Sequence, residues 1–133
     1  MLYPMAAMVL LIVVIGIIAV KVRFSSVKNG SVSVKYYRLM QGENVPEIIT
    51  KTTRCLNNQF EIPVLFYVVC TLYLSLGIES FLALILAWLF VVFRYVHAYI
   101  HLTTNQVVHR MMAFWLAFIA VIALWVNLVV QQV

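Results

Sequence analysis

The stretch Val9-Leu10-Leu11-Ile12-Val13-Val14-Ile15-Gly16-Ile17-Ile18-Ala19-Val20 contains no charged or hydrogen-bonding side chain. The uncharged run around it covers residues 2–20, close to the about 20 apolar residues an α-helix needs to cross the hydrocarbon core of a bilayer. Three further uncharged runs follow: 62–78 between Glu61 and Glu79, 80–93 ended by Arg94, and 111–133, whose one strongly polar interior residue is Asn127. None alternates apolar and polar residues as transmembrane β-strands do, so all four predict helices. The whole chain of 133 residues is 65% hydrophobic and 10% charged, with a mean hydropathy of +1.06. A soluble domain is about 45–50% apolar and about 25% charged. That much apolar surface cannot be covered by polar groups in water, which excludes a soluble enzyme and a disordered tail. The net charge of +5 comes with no nucleic-acid-binding motif, so no nucleic acid is expected as a partner. The expected fold is an all-α integral membrane four-helix bundle, a single domain over 1–133. Its spans lie near 2–22, 55–78, 80–100 and 110–131, with a long connection at about 23–54.

All nine basic residues fall between the first and second spans (Lys21, Arg23, Lys28, Lys35, Arg38, Lys51, Arg54) or between the third and fourth (Arg94, Arg110). The positive-inside rule then makes both connections cytoplasmic and puts both termini on the other side. No basic residue precedes the first span, and its apolar stretch exceeds the about 7–15 residues of a signal-peptide core, so it is expected to remain in the protein. Such basic loops attract anionic head groups of membrane lipid, or an anionic small molecule. Cys55 and Cys70, 15 residues apart on one predicted helix, stand about 22 Å from each other. They cannot pair within the chain and read as small apolar fillers.

Between the first two spans, Lys28-Asn29-Gly30-Ser31 is a turn signal. Asn44-Val45-Pro46-Glu47 reads as a helix start with Asn44 as N-cap. The pattern beyond it predicts one helix of about 33 residues running through Arg54 into the second span, kinked at Pro63. Gly77 and Glu79-Ser80 mark the tight turn into the third span.

The second and third runs hold only 17 and 14 uncharged residues. Extending each to about 20 residues draws Glu61, Arg94 and His97 to membrane depth or its edge. Arg54, Asn58 and Glu61 are spaced i, i+4, i+7, inside one 60° arc of a continuous helix at about 100° per residue. Arg94, His97 and His101 are spaced i, i+3, i+7 and share such an arc too. Arg110 opens the fourth span at the same level. Ionisable groups at bilayer depth are expensive unless paired and mark functional sites by default. Any one of these residues could instead serve structure, Glu61 as the ion-pair partner of Arg54 or Arg94 and Asn58 as interhelical glue. Three arginines exceed what one carboxylate requires, however, and together they leave about +2. Arginine holds carboxylates bidentately, and Glu61 could answer an ammonium group. The arrangement suits a zwitterionic ligand with surplus acid groups, placed where a lipophilic second substrate can arrive through the bilayer.

The stretch Arg54-Cys55-Leu56-Asn57-Asn58-Gln59-Phe60-Glu61-Ile62-Pro63, followed by Arg94-Tyr95-Val96-His97 and Arg110, resembles the MAPEG family, membrane-associated proteins of eicosanoid and glutathione metabolism that include microsomal glutathione transferases. The resemblance covers the four-span plan and nearly the whole length. Its most specific parts are R-x-x-x-N-x-x-E on the second span and R-x-x-H on the third. It implies a homotrimer with glutathione, the co-substrate, bound between neighbouring subunits near the cytoplasmic face. Arg54, Asn58 and Glu61 match family residues that hold the tripeptide, and Arg94 and His97 match the third-span motif. Arg110 matches an arginine that stabilises the glutathione thiolate. The chain departs from the family at His101, where many members carry tyrosine; His101 can still donate a hydrogen bond to the ligand.

Other signals carry less. His97-x-x-x-His101 with Glu61 is a conceivable metal trio, but Ala98 stands where a zinc protease has glutamate. With one carboxylate and no sulfur ligand, no metal site is expected. His109 reads as a cap or interface residue, and the aromatic residues of the third and fourth spans read as packing and membrane-belt groups. Tyr67 and Tyr73 have hydroxyls that could face a substrate, and Arg23 and Arg38 could reach the site from the long connection. Two functions compete: a glutathione transferase or peroxidase acting on lipophilic small molecules, and a non-enzymatic transporter or anionic-lipid-binding scaffold using the same basic pocket. Glu61 favours the first, because it repels a purely anionic head group.

Overall fold

The computed structural model of the chain describes residues 1–42 and 44–132; Val133, the end of the fourth apolar run, lies outside them. Helix α1 spans Leu2–Lys28, and the short α2 spans Tyr36–Leu39. Helix α3 (Glu47–Asn57) leads through a 3-10 turn at Asn58–Phe60 into α4 (Ile62–Ser75), followed by α5 (Phe81–Leu102) and α6 (Val107–Gln132). Helices α1, α5 and α6 are each long and apolar enough to cross a membrane. The 14 residues of α4 cover only about 21 Å.

The ends of these helices follow from local chemistry. Gly30 (φ +68) and Gly77 (φ +64) take the left-handed conformation just past α1 and α4. At α4, Gly77 N donates to Leu74 O (3.3 Å) and Ile78 N to Tyr73 O (3.0 Å). That pair of bonds closes the helix through a residue with no Cβ to clash. Ser80 caps α5, its Oγ accepting from Ala83 N at 3.2 Å, which satisfies one of the orphan donors of the first turn.

Two expectations for the second span need correction. Asn44 is not the N-cap: it has φ +58, and α3 starts at Glu47 with Pro46 as cap. The residue before a proline is sterically driven from helical geometry, so the helix cannot begin ahead of Pro46. Nor is there one kinked helix through Pro63. The chain breaks at Glu61 (φ −94, ψ −100) and restarts at Ile62. Inside a continuous helix Pro63 would clash with the carbonyl of residue 59 and forfeit a hydrogen bond; in the first turn of a new helix its missing donor is not needed.

The core lies where α1, α4, α5 and α6 meet. Met8, Leu11 and Ile15 of α1 bury against Phe66, Val69 and Cys70 of α4 and Phe90 of α5. The rings of Phe66 and Phe90 stack at 4.4 Å. The buried positions of α5 and α6 include several small residues, Ala83, Ala87 and Ala98 on α5 and Ala113, Ala117 and Ala120 on α6. Small side chains let helix backbones approach closely, the usual packing solution where lipid supplies no hydrophobic drive. Outward-facing positions such as Val9, Val13, Ile17, Ile119 and Val126 are exposed and apolar. Near the end of α6, Asn127 Oδ1 accepts from Tyr73 Oη (2.7 Å), Ser80 Oγ (3.3 Å) and Gln131 Nε2 (2.6 Å). The Tyr73 hydroxyl therefore ties α4 to α6 and is not free for a substrate.

Candidate functional site

At the opposite end of the bundle from Asn127, the end of α3, the 3-10 turn, the last turns of α5 and the first turns of α6 enclose a cleft of about 510 Å³. Arg54, Asn58, Glu61, His97, His101 and Arg110 all line it. Asn57 adds an amide, while Val107, Met111, Phe114 and Trp115 of α6 form an apolar wall. Six of the seven side chains singled out in the sequence thus face one space.

The seventh lies behind it. Arg94 is fully buried and does not line the cleft. Its Nη1 donates to Asn58 Oδ1 and its Nη2 to the Asn58 carbonyl, both at 2.9 Å. Asn58 Nδ2 in turn donates to Glu61 Oε2 at 2.6 Å. The chain Arg94–Asn58–Glu61 replaces the direct Arg94–Glu61 ion pair that spacing alone allows. It also explains how the carboxylate is aimed after the helix has broken: Arg94 grips the 3-10 turn by its backbone as well as its side chain. Convergence of Arg54, Asn58 and Glu61 is therefore the work of a turn and not of one helical arc. On α5, which is unbroken, Arg94, His97 and His101 do share a face, and all three are buried.

The imidazoles of His97 and His101 meet edge to face at 5.7 Å, with Phe114 6.1 Å from His97. Their Nδ1 atoms are buried without a hydrogen-bond partner. Among the described residues no group of three or more His, Cys, Asp or Glu is placed to hold a metal ion. Arg54 and Glu61 are exposed at the rim, whereas Arg110 is half-buried. Arg23 and Arg38 do not line the cleft; Arg23 sits 5.8 Å from the centre of the Tyr37 ring. Exposed His109 is also absent from the lining. Cys55 and Cys70 are buried free thiols.

Sequence reasoning missed Asn105 and Lys51. Asn105 Oδ1 accepts from Arg110 Nη1 at 2.5 Å, and Lys51 Nζ donates to Thr103 O at 3.1 Å, tying the α5–α6 connection to α3. A signal for Asn105 was present: an asparagine just past a helix end is a frequent left-handed residue, and it stands five positions before Arg110.

The family model for MAPEG matches residues 1–130. The chain belongs to the MAPEG family. MAPEG proteins are four-helix membrane bundles, and the family includes glutathione transferases and related enzymes. The present chain is accordingly an all-helical, multi-pass integral membrane protein, with α4 as the shortest of its four long helices. MAPEG membership points to glutathione or eicosanoid metabolism. Searches of curated proteins and of solved structures return no match.

Proposed function

We propose that this MAPEG protein is a membrane-embedded, glutathione-dependent transferase or peroxidase acting on lipophilic electrophiles or lipid hydroperoxides. The observation that carries the reading is the composition of the cleft: two arginines and one carboxylate at its mouth and side, against an apolar wall of Met111, Phe114 and Trp115. Glutathione has two carboxylates, one ammonium and one thiol. Arg54 binds a carboxylate, Glu61 takes the ammonium, and Asn58 fixes Glu61 for that purpose. His97 and His101 line the inner wall and hydrogen-bond the peptide. Arg110 stabilises the thiolate, since a neighbouring guanidinium lowers a thiol pKa from near 8.5 and raises the reactive fraction at neutral pH.

The chemistry then needs only a bound thiolate and a lipid-soluble partner held beside it. In conjugation, the sulfur lone pair forms an S–C bond while the electrophile's leaving group departs with the bonding pair and takes a proton. In peroxide reduction, the sulfur attacks the terminal oxygen, the O–O bond breaks, and the alkoxide is protonated to an alcohol. A second glutathione then reduces the resulting sulfenic acid, giving the disulfide and water. The second substrate reaches the thiolate across the α6 wall from the bilayer. We assign the cleft to the cytoplasmic side, with both termini opposite, and the assembly to a homotrimer.

Folded protein in detergent is expected to consume glutathione with a lipophilic electrophile or a lipid hydroperoxide, and Arg110→Ala is expected to lose turnover. Absence of glutathione-dependent turnover with both substrate classes would contradict the assignment.

A further inference from the structure

Arg94, behind the cleft, and Arg110, in its wall, each donate to the side-chain oxygen of an asparagine. Arg94 donates to Asn58 Oδ1 at 2.9 Å, and Arg110 donates to Asn105 Oδ1 at 2.5 Å. Each acceptor is a neutral amide oxygen. A carboxylate in either place would make a stronger, charge-assisted bond, but it would also neutralise the guanidinium. An amide fixes the plane of the group and leaves its charge for something else.

Asn105 is built for this at the backbone. Its φ of +51 lies in the left-handed region, which asparagine tolerates better than most residues with a Cβ. Its N–H donates to Ile100 O at 2.7 Å, closing α5, and the Arg110 N–H donates to Gln106 O at 3.0 Å, opening α6. The Lys51–Thr103 bond anchors the same connection to α3. Asn105 is thus bonded directly to α5, within a short connection that is tied to α3 at Thr103 and enters α6 after Gln106. The bond to Asn105 uses one of the five N–H donors of the guanidinium, so the group keeps both charge and donors for a ligand.

We propose that Asn105 is a positioning residue for thiol activation: its side-chain oxygen aims the Arg110 guanidinium into the cleft while leaving the positive charge intact for the sulfur of a bound thiol. The thiol loses its proton to water, and the resulting thiolate pairs with the oriented guanidinium. This rests on the role assigned to Arg110 above, and the test separates the two. It uses Asn105→Gly, which keeps the left-handed backbone and removes the acceptor, and Asn105→Asp, which keeps an acceptor and adds a charge.

Two readouts are taken on the full-length protein in detergent. The first is the rate at which phenylglyoxal modifies Arg110 without glutathione, followed by peptide mass spectrometry. The second is the ultraviolet absorbance of the thiolate of bound glutathione as a function of pH. In Asn105→Gly, Arg110 should react several-fold faster, and bound thiolate at neutral pH should fall about tenfold. In Asn105→Asp, Arg110 should react no faster than in the wild type, yet the thiolate should still fall, because the carboxylate now competes for the charge. A purely structural Asn105 predicts no such split. Unchanged Arg110 reactivity in Asn105→Gly, or wild-type thiolate in Asn105→Asp, overturns the proposal. Should Asn105→Gly fail to fold, Lys51→Met, which releases the connection from α3, must also speed Arg110 modification; an unchanged rate overturns it. Wild-type protein that binds glutathione only as the thiol overturns the assignment of Arg110 itself, while the modification rates still decide whether Asn105 orients it.

Discussion

Arg94 and Arg110 carry the same charge and sit at the same end of the bundle, yet their surroundings separate their roles. Arg94 is sealed off, with Nη1 and Nη2 each donating to Asn58 and Nε buried without a partner; Arg110 lines open space. Removing the buried guanidinium leaves both Asn58 oxygens without their donor, and hydrogen bonds to charged groups are worth about 1.5–3 kcal/mol each. Arg94→Met should therefore lower the melting temperature and weaken glutathione binding at least about tenfold, because Glu61 loses its support through Asn58. Arg94→Lys should not rescue it, since one ammonium cannot reproduce a planar fork on two oxygens. Thermal melts and titrations on the two variants check this; wild-type affinity in Arg94→Met would mean that Asn58 holds Glu61 unaided. Spacing showed that a charged residue belonged at position 94, but not that it lies behind the site. That distinction depends on depth within the bundle, which a one-dimensional pattern does not contain.

Helix α5 and the α3–α4 pair differ in continuity, and that difference decides where periodicity predicts geometry. Helix α5 is unbroken, so the periodicity of Arg94, His97 and His101 translates directly into one face. The second span contains Pro63, and the chain had to choose between a kink and a new start. It restarts at Ile62, turning Asn58–Phe60 into a 3-10 segment that presents Asn58 and Glu61 to the cleft. The residues that line the cleft there were readable, but the geometry uniting them was not, because a proline does not say on which side of itself the helix gives way. Pro63→Ala removes the reason for the restart. Helicity across residues 58–62 should increase, read as slower amide exchange there, and glutathione affinity should fall as Glu61 swings away. Faster exchange with unchanged affinity would contradict that account. The α5–α6 packing makes a separate prediction: Ala117→Leu inserts volume where backbones meet closely and should destabilise the protein by about 1–3 kcal/mol, measured by denaturant or thermal unfolding in detergent.

Across the whole molecule, the two polar centres lie at opposite ends of α6. Arg110 and Asn127 are 17 residues apart, about 26 Å along the helix, and one lines the cleft while the other gathers three donors from α4, α6 and the α4–α5 connection. Sites that far apart without shared partners behave independently. Asn127→Leu should lower stability by about 0.5–1.5 kcal/mol, since Ser80 and Gln131 lose their acceptor while the Tyr73 hydroxyl keeps the Leu124 carbonyl at 3.3 Å, and leave glutathione affinity untouched; a change in affinity would show that the ends are coupled. The four-helix plan was readable throughout, since uncharged runs and charged connections are one-dimensional properties. Accessibility labelling of a cysteine at the Gly77 turn should occur from the non-cytoplasmic side, and labelling from the cytoplasm would invert the topology.

Calorimetric titration of glutathione into the purified wild type, Glu61→Ala and Arg110→Ala tests whether the cleft binds glutathione through its charges. Saturable binding is expected in the wild type, weakened about tenfold to a hundredfold in Glu61→Ala by loss of a charge-assisted contact. Arg110→Ala should still bind, with its defect confined to thiolate formation. No binding by folded wild-type protein, or equal binding by wild type and Glu61→Ala, would contradict the account.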